Sequence, residues 1–466
     1  MIKTRLESDS VGELSVPSEA YYGIQSLRAK NNFDITGNAM SPTFIKNITL
    51  IKKAAAIVNG EYGLLEKERA DAIVFACDEV LGGKYSDSFI VDAVQGGAGT
   101  SANMNVNEVI ANIAIEHLGG EKGNYSIVHP NDHVNMEQST NDVIPTAGKL
   151  TVLTLSRELI AELHALATAL GKKSVEFNDV LKMGRTQLQD AVPMRMGQAF
   201  HAFSAAVKRD IKRISSTLDE MHVINMGATA IGTAINAKPQ YFDHITGKLS
   251  ELFGEKLERA GDLFDGTQNV DGFASVSGAL KACAINLSKM CNDLRLMSSG
   301  PRTGLGEIIL PAKQNGSSIM PGKVNPVIPE VVNQTAFLVI GHDVTITMAA
   351  EAGQLELNAF EPVIFYQLFE SIRALTGAID TLIKNCVDGI VVNRERCEEW
   401  VNRSVGIVTA LNPYIGYKKA AEIAKESLKT GEPIKSLVIR KKLMDEAKLD
   451  EVLNPFLLTE PETERK

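Results

Sequence analysis

The residues best suited to chemistry in this chain of 466 gather in four short stretches. The first is GSSIMPGKVNP, residues 316–326. It joins Ser317 and Ser318 to Lys323 and Asn325. From Gln314 to Pro329 there is no Asp or Glu, although the chain carries 57 acidic residues against 48 basic ones. A loop of neutral donors and one cation, kept free of carboxylates, suits a carboxylate that arrives from outside. The other stretches are GGAGTSANMNVNE (96–108), QSTND (138–142) and GRTQLQDAVP (184–193). Each sets hydroxyls and amides beside an expected helix end, where free N–H groups and a partial positive charge favour anions. Each also has a plainer role open to it. Asn325 before Pro326 suits a helix N-cap, as do Ser139, Thr140, Asn141 and Asp142. Thr186 and Gln187 suit a turn, and Gly96, Gly97 and Gly99 a tight bend.

Long helices must position these clusters. Between residues 146 and 171, Val152, Leu155, Leu159, Leu163, Leu166 and Leu170 recur at steps of three and four, one face of a 3.6-residue helix. Further segments follow at roughly 194–225, 275–299, 327–352 and 362–389. At 1.5 Å per residue, ~26 residues span ~40 Å. Alternating runs are few, and no turn dipeptide marks a hairpin between them. The expected class is therefore all-α, with a central five-helix bundle at 143–392 and smaller helical domains at 1–142 and 393–466. In the fourth segment, VVNQTAFLVIGHDVTITMAA carries apolar residues on every side. Such a helix must be buried all round, which copies of the same chain in an oligomer would achieve.

Composition narrows the function. A net charge of −9 without basic blocks argues against nucleic acid. No apolar run approaches the ~18 residues of a membrane span. The opening MIKTRLESDSVGEL has no apolar stretch of a secretory signal, so a cytoplasmic protein is expected. The five scattered cysteines are expected to be reduced and packed. The eight histidines are read as dispersed, with neither HxxxH nor HExxH spacing, and no metal site is expected. GGAGTS lacks both the preceding strand of a dinucleotide site and the lysine of a P-loop.

The loop GSSIMPGKVNP resembles the signature loop of the fumarase/aspartase superfamily, with both prolines and the lysine in register. The similarity runs through the other three clusters and over nearly the whole chain. Members eliminate water or an amine from a succinyl-type substrate to give fumarate. The resemblance implies an all-α, three-domain fold and a homotetramer around a twenty-helix core, with active sites shared between subunits. It implies no cofactor. VIPEVVNQ after the loop and TMAAEAGQLELNAFEPVI (347–364) are closer to the branch that expels ammonia from L-aspartate. Elimination of water from malate is the alternative. Gln187 departs from the histidine that water-eliminating members, and some ammonia-eliminating ones, carry there. A neutral amide cannot relay a proton, and an amine leaving group needs less such help than hydroxide. By resemblance, Ser317 is the catalytic base. Thr100, Ser139, Thr140 and Ser318 would hold the substrate's β-carboxylate, and Lys323 and Asn325 its α-carboxylate. Thr186, Gln187 and Asn141 would lie near the amino group.

Overall fold

The computed structural model describes residues 3–460. A hairpin of β1 (Thr4–Asp9) and β2 (Gly12–Pro17) precedes the helices. α1 (Pro42–Glu61) begins on a proline, which at the first turn gives up no needed donor. α2 (Thr100–His117) starts immediately after Gly99, whose φ of +83° suits a residue without Cβ. The long helices follow. They are α3 (Thr140–Glu176), α4 (Met196–Leu218), α5 (Asp271–Met297), α6 (Val327–Glu351) and α7 (Glu361–Asn385). These are the five segments expected from periodicity. The stripe from Val152 to Leu170 on α3 is buried throughout.

Buried polar contacts tie these helices side by side. Asn286 of α5 donates to Asp210 of α4 at 2.9 Å. Ser277 and Lys281 of α5 reach Asp343 of α6 at 2.8 and 2.5 Å. The Phe273 and Phe365 rings bring α5 and α7 together edge to face at 5.0 Å. On α6, Val332, Ala336, Val339 and Ile346 are buried, but Phe337, Leu338, Val344 and Met348 stand 57–67% exposed in the single chain. This is the helix whose apolar surface runs all round.

Contacts divide the chain into two compact units. One comprises residues 1–160, 212–284 and 337–375; the other comprises 161–211, 285–336 and 376–466. The clusters at 96–108 and 138–142 belong to the first, and those at 184–193 and 316–326 to the second.

β-structure among the described residues is limited to four two-stranded pairs. One of them matters for function. β3 (Leu181–Thr186) and β4 (Gln189–Arg195) form an antiparallel hairpin closed by Gln187 and Leu188. Both turn residues have positive φ, 54° and 62°. Two-residue turns of this hand are normally signalled by Asn-Gly or Asp-Gly. With Gln-Leu there, the sequence carries no hairpin signal.

Candidate active site

In the first unit, Ser139 opens α3 through reciprocal capping. Its Oγ accepts from Asn141 N at 3.2 Å, while Asp142 Oδ1 accepts from Ser139 N at 2.9 Å. Asp142 does more than cap. Its Oδ2 accepts from Gly227 N and Thr229 N, both at 3.1 Å. Beneath it lies Lys52, a lysine inside the apolar run LIKKAAAIV of α1 and fully buried. Lys52 Nζ donates to Asn135 Oδ1 at 2.8 Å and Gln138 Oε1 at 2.9 Å. Asn103 and Asn107 of α2 donate to the same Asn135 oxygen at 3.1 Å. Asn103 also reaches Thr140 Oγ1 at 3.2 Å, joining α2 to the start of α3. Burial pushes the Lys52 ammonium down to about 7 and the Asp142 carboxyl up to about 6. Each is held against that pressure by the other's charge, and Asp142 also by its three N–H donors. The sequence reading missed this network. A lysine pair, Lys52 and Lys53, in an apolar run and four amides at positions 103, 107, 135 and 138 were its available signals.

The hydroxyls and amides expected to meet substrate have defined states here. Thr140 accepts from Asn103, which leaves its O–H to donate. Asn141 Nδ2 is committed to Ala230 O at 2.7 Å, and its backbone carbonyl accepts from Asn225 at 3.0 Å. Its Oδ1 therefore stays available as an acceptor. Thr100 Oγ1 donates to Gly97 O at 2.8 Å and must leave that carbonyl to hold a carboxylate. Thr100 is exposed on a wide concavity shared with Ser101, Arg28 and Asn131.

Histidines 129 and 133, in HPNDH, form an i,i+4 pair, which corrects the expectation from sequence that no HxxxH spacing occurs. Both are engaged locally. His133 Nδ1 accepts from His129 N at 2.8 Å, and His129 Nδ1 accepts from Asn131 N and Asp132 N at 3.2 Å.

In the second unit, Thr186 and Gln187 stand exposed at the tip of the β3–β4 hairpin. The hairpin is anchored from below, where Arg185 reaches the fully buried Glu307 at 2.7 Å and Lys182 lies 3.5 Å from it. The 316–326 loop is held by few bonds. Gly316 N donates to Lys323 O at 2.8 Å, and Asn325 Nδ2 donates to Gly316 O at 2.9 Å. Asn325 thus closes the loop with its side chain. A Cβ on Gly316 would sit 2.8 Å from Lys323 O and 2.9 Å from Asn325 N, so this closure requires glycine. Within the loop, Ser317 Oγ accepts from Ile319 N at 3.2 Å and Met320 N at 3.0 Å. Ser318 and Lys323 are exposed beside it. Two backbone amides aimed at one hydroxyl oxygen is an arrangement that favours negative charge there.

The family model described as Lyase matches residues 12–341, and that described as Fumarase C C-terminus matches 407–460. The chain belongs to the fumarase/aspartase family of lyases. An aspartate ammonia-lyase from a Bacillus species is 53% identical over 98% of both chains. Among solved structures, a fumarate lyase:delta crystallin from Brucella melitensis superposes with a TM-score of 0.95 at 48% identity, over 98% of this chain and 100% of that one. A class II fumarase from Schistosoma mansoni superposes equally well, TM-score 0.96, over 99% and 100% of the two chains, but at 34% identity. Family membership and the all-α fumarase fold agree with the reading from sequence. The five cysteines are buried.

Proposed function

We propose that the protein is a carbon–nitrogen lyase that converts L-aspartate reversibly to fumarate and ammonia, with Ser317 as base. The observation that carries this reading is the pair of amides, Ile319 N and Met320 N, that point at Ser317 Oγ. A serine hydroxyl is mostly protonated near neutrality. An alkoxide there needs donors already in place, and these two amides together with the Lys323 charge supply them. The C3 proton is only weakly acidic, and its removal leaves a dianionic aci-carboxylate. Donors that strengthen on that carboxylate lower the barrier, because they bind the transition state better than the substrate. Thr100, Ser139, Thr140 and Ser318 take this role. Lys323 and Asn325 hold the α-carboxylate, while Thr186, Gln187 and the free oxygen of Asn141 receive the ammonium. Loss of ammonia needs no acid at position 187, which the neutral Gln187 fits. The higher identity to an aspartate ammonia-lyase than to a fumarase supports amine rather than water as the leaving group.

In this reading the active enzyme is a homotetramer whose sites draw the Thr100 cluster, the Thr186 hairpin and the Ser317 loop from different subunits. The exposed apolar stripe of α6 supports burial against further copies. Two measurements test the proposal. Ultraviolet absorbance of fumarate should grow on L-aspartate and not on L-malate; growth on L-malate alone would replace the reading with hydration. Inactive Ser317→Ala and Thr186→Val chains, refolded together, should recover activity in about a quarter of sites by random assortment of subunits. No recovery in mixed tetramers confirmed by mass would place each site within one chain.

A further inference from the structure

The turn from Gly96 to Ala102 is a partition with a concavity on each side. Thr100 and Ser101 face the wide one described above. Gly99 and Ala102 face a second, smaller cavity of about 220 Å³. Its wall is aromatic. Phe44 lies 5.5 Å from Phe365 and 5.7 Å from Phe369, and the last two rings stack at 5.7 Å. Protein interiors rarely leave a void of this size, and a benzene-sized guest fits a smaller one. The mouth is polar. Arg373 Nη2 donates to Ser41 Oγ at 2.8 Å, and Asn38 Nδ2 donates to Tyr366 Oη at 2.9 Å. Arg373 is the single cation in the lining. Its ionic partner, Glu370, stands off at 3.7 Å and is half exposed, so it can yield to a closer carboxylate.

We propose that this cavity binds a small monocarboxylic acid bearing one aromatic ring, and that occupancy alters how the Thr100 turn receives substrate. The ring packs on Phe44, Phe365 and Phe369, and the carboxylate pairs with Arg373. A second carboxylate would meet Glu370 and no further cation, which separates this ligand class from the dicarboxylate substrate. Coupling follows from shared walls. A Cβ on Gly99 would lie 2.8 Å from Ile144 Cγ2, so the turn already touches the first turn of α3. Ile144 also lines the cavity. A guest that presses on Gly99 and Ile144 therefore presses on the backbone that carries Thr100 on one side and Thr140 on the other.

The probe is hydrocinnamate, titrated by calorimetry into the assembled enzyme, with hydrocinnamyl alcohol as its neutral counterpart. Saturable binding of hydrocinnamate is expected. Arg373→Gln should raise its Kd at least about tenfold while leaving the alcohol within about twofold. Ala93→Met, which fills the cavity from another wall, should remove both. In turnover, hydrocinnamate should change the KM for L-aspartate in a mixed pattern that Arg373→Gln abolishes. This readout rests on the lyase reading, whereas calorimetry does not, so the two can fail separately. Absence of saturable binding would overturn the site. So would binding that survives Arg373→Gln with purely competitive kinetics, which would place the ligand on the substrate groups. Binding without any effect on KM would overturn the coupling.

Discussion

The cluster at 138–142 and the loop at 316–326 both offer hydroxyls and amides to a carboxylate, but they are built in opposite ways. The first rests on buried charges and amides. Lys52, Asp142, Asn103, Asn107, Asn135 and Gln138 are linked by hydrogen bonds or by charge, and the backbone of Ser139 and Thr140 has little freedom. The second is exposed and held by a handful of loop bonds. The contrast separates two tasks. A group that holds substrate gains from a rigid frame fixed before binding. A base on a loop gains from amides that travel with it, because its activation does not depend on where the loop sits.

Breaking the buried side should cost the most stability. Asp142→Ala strips the acceptor from Ser139 N, Gly227 N and Thr229 N and removes the opposite charge beside Lys52. We expect a loss of about 3–5 kcal/mol in denaturant unfolding of the assembled enzyme. A loss below about 1 kcal/mol would mean that water replaces the carboxylate, and the frame would not be rigid.

Breaking the exposed side should leave stability alone and act on substrate. On the proposed reading, Lys323→Ala removes a charged partner of the α-carboxylate, worth about 1.5–3 kcal/mol, so the KM for L-aspartate should rise about 10- to 100-fold. An unchanged KM would show that Lys323 stays in solvent throughout.

The two regions should also differ in their response to pH. The Asp142 carboxyl titrates near 6 in the fold, against 3.8 for a free side chain. Between those values the folded state holds a proton that the unfolded chain has lost. Stability from this group is therefore full at low pH and falls as pH rises toward 6. The stability advantage of wild type over Asp142→Asn should shrink by roughly 1–3 kcal/mol across that window. The same comparison made with Ser317→Ala should stay flat. A wild-type advantage that grew with pH would mean that Asp142 is a stabilised anion.

The smallest effect concerns the hairpin tip. Leu188 is 70% exposed with φ +62°. Leu188→Gly should relieve that backbone and raise stability by up to about 1 kcal/mol. A loss would show that the leucine is held by contacts in the assembly.

What could be read in the sequence follows the same division. The long helices were legible because Val152 through Leu170 keep one period over five turns, and tertiary packing agrees with it. The loop was legible because GSSIMPGKVNP gathers its groups within eleven residues. The β3–β4 hairpin was not, because Gln187 and Leu188 adopt positive φ without the residues that usually favour it. Lys52 and Asp142 were not paired, because 90 positions separate them and only folding brings them together. Asn325 was read as a possible cap; its amide instead closes the loop onto Gly316.

The central claim is that Ser317 takes the C3 proton with the help of Ile319 N and Met320 N. The most direct test is steady-state turnover of Ser317→Ala on L-aspartate, with substrate affinity measured alongside. The account predicts a kcat lower by ~10²–10⁴, an unchanged state of assembly and little change in affinity, because other side chains are proposed to hold both carboxylates. A variant that keeps half of its turnover would contradict it.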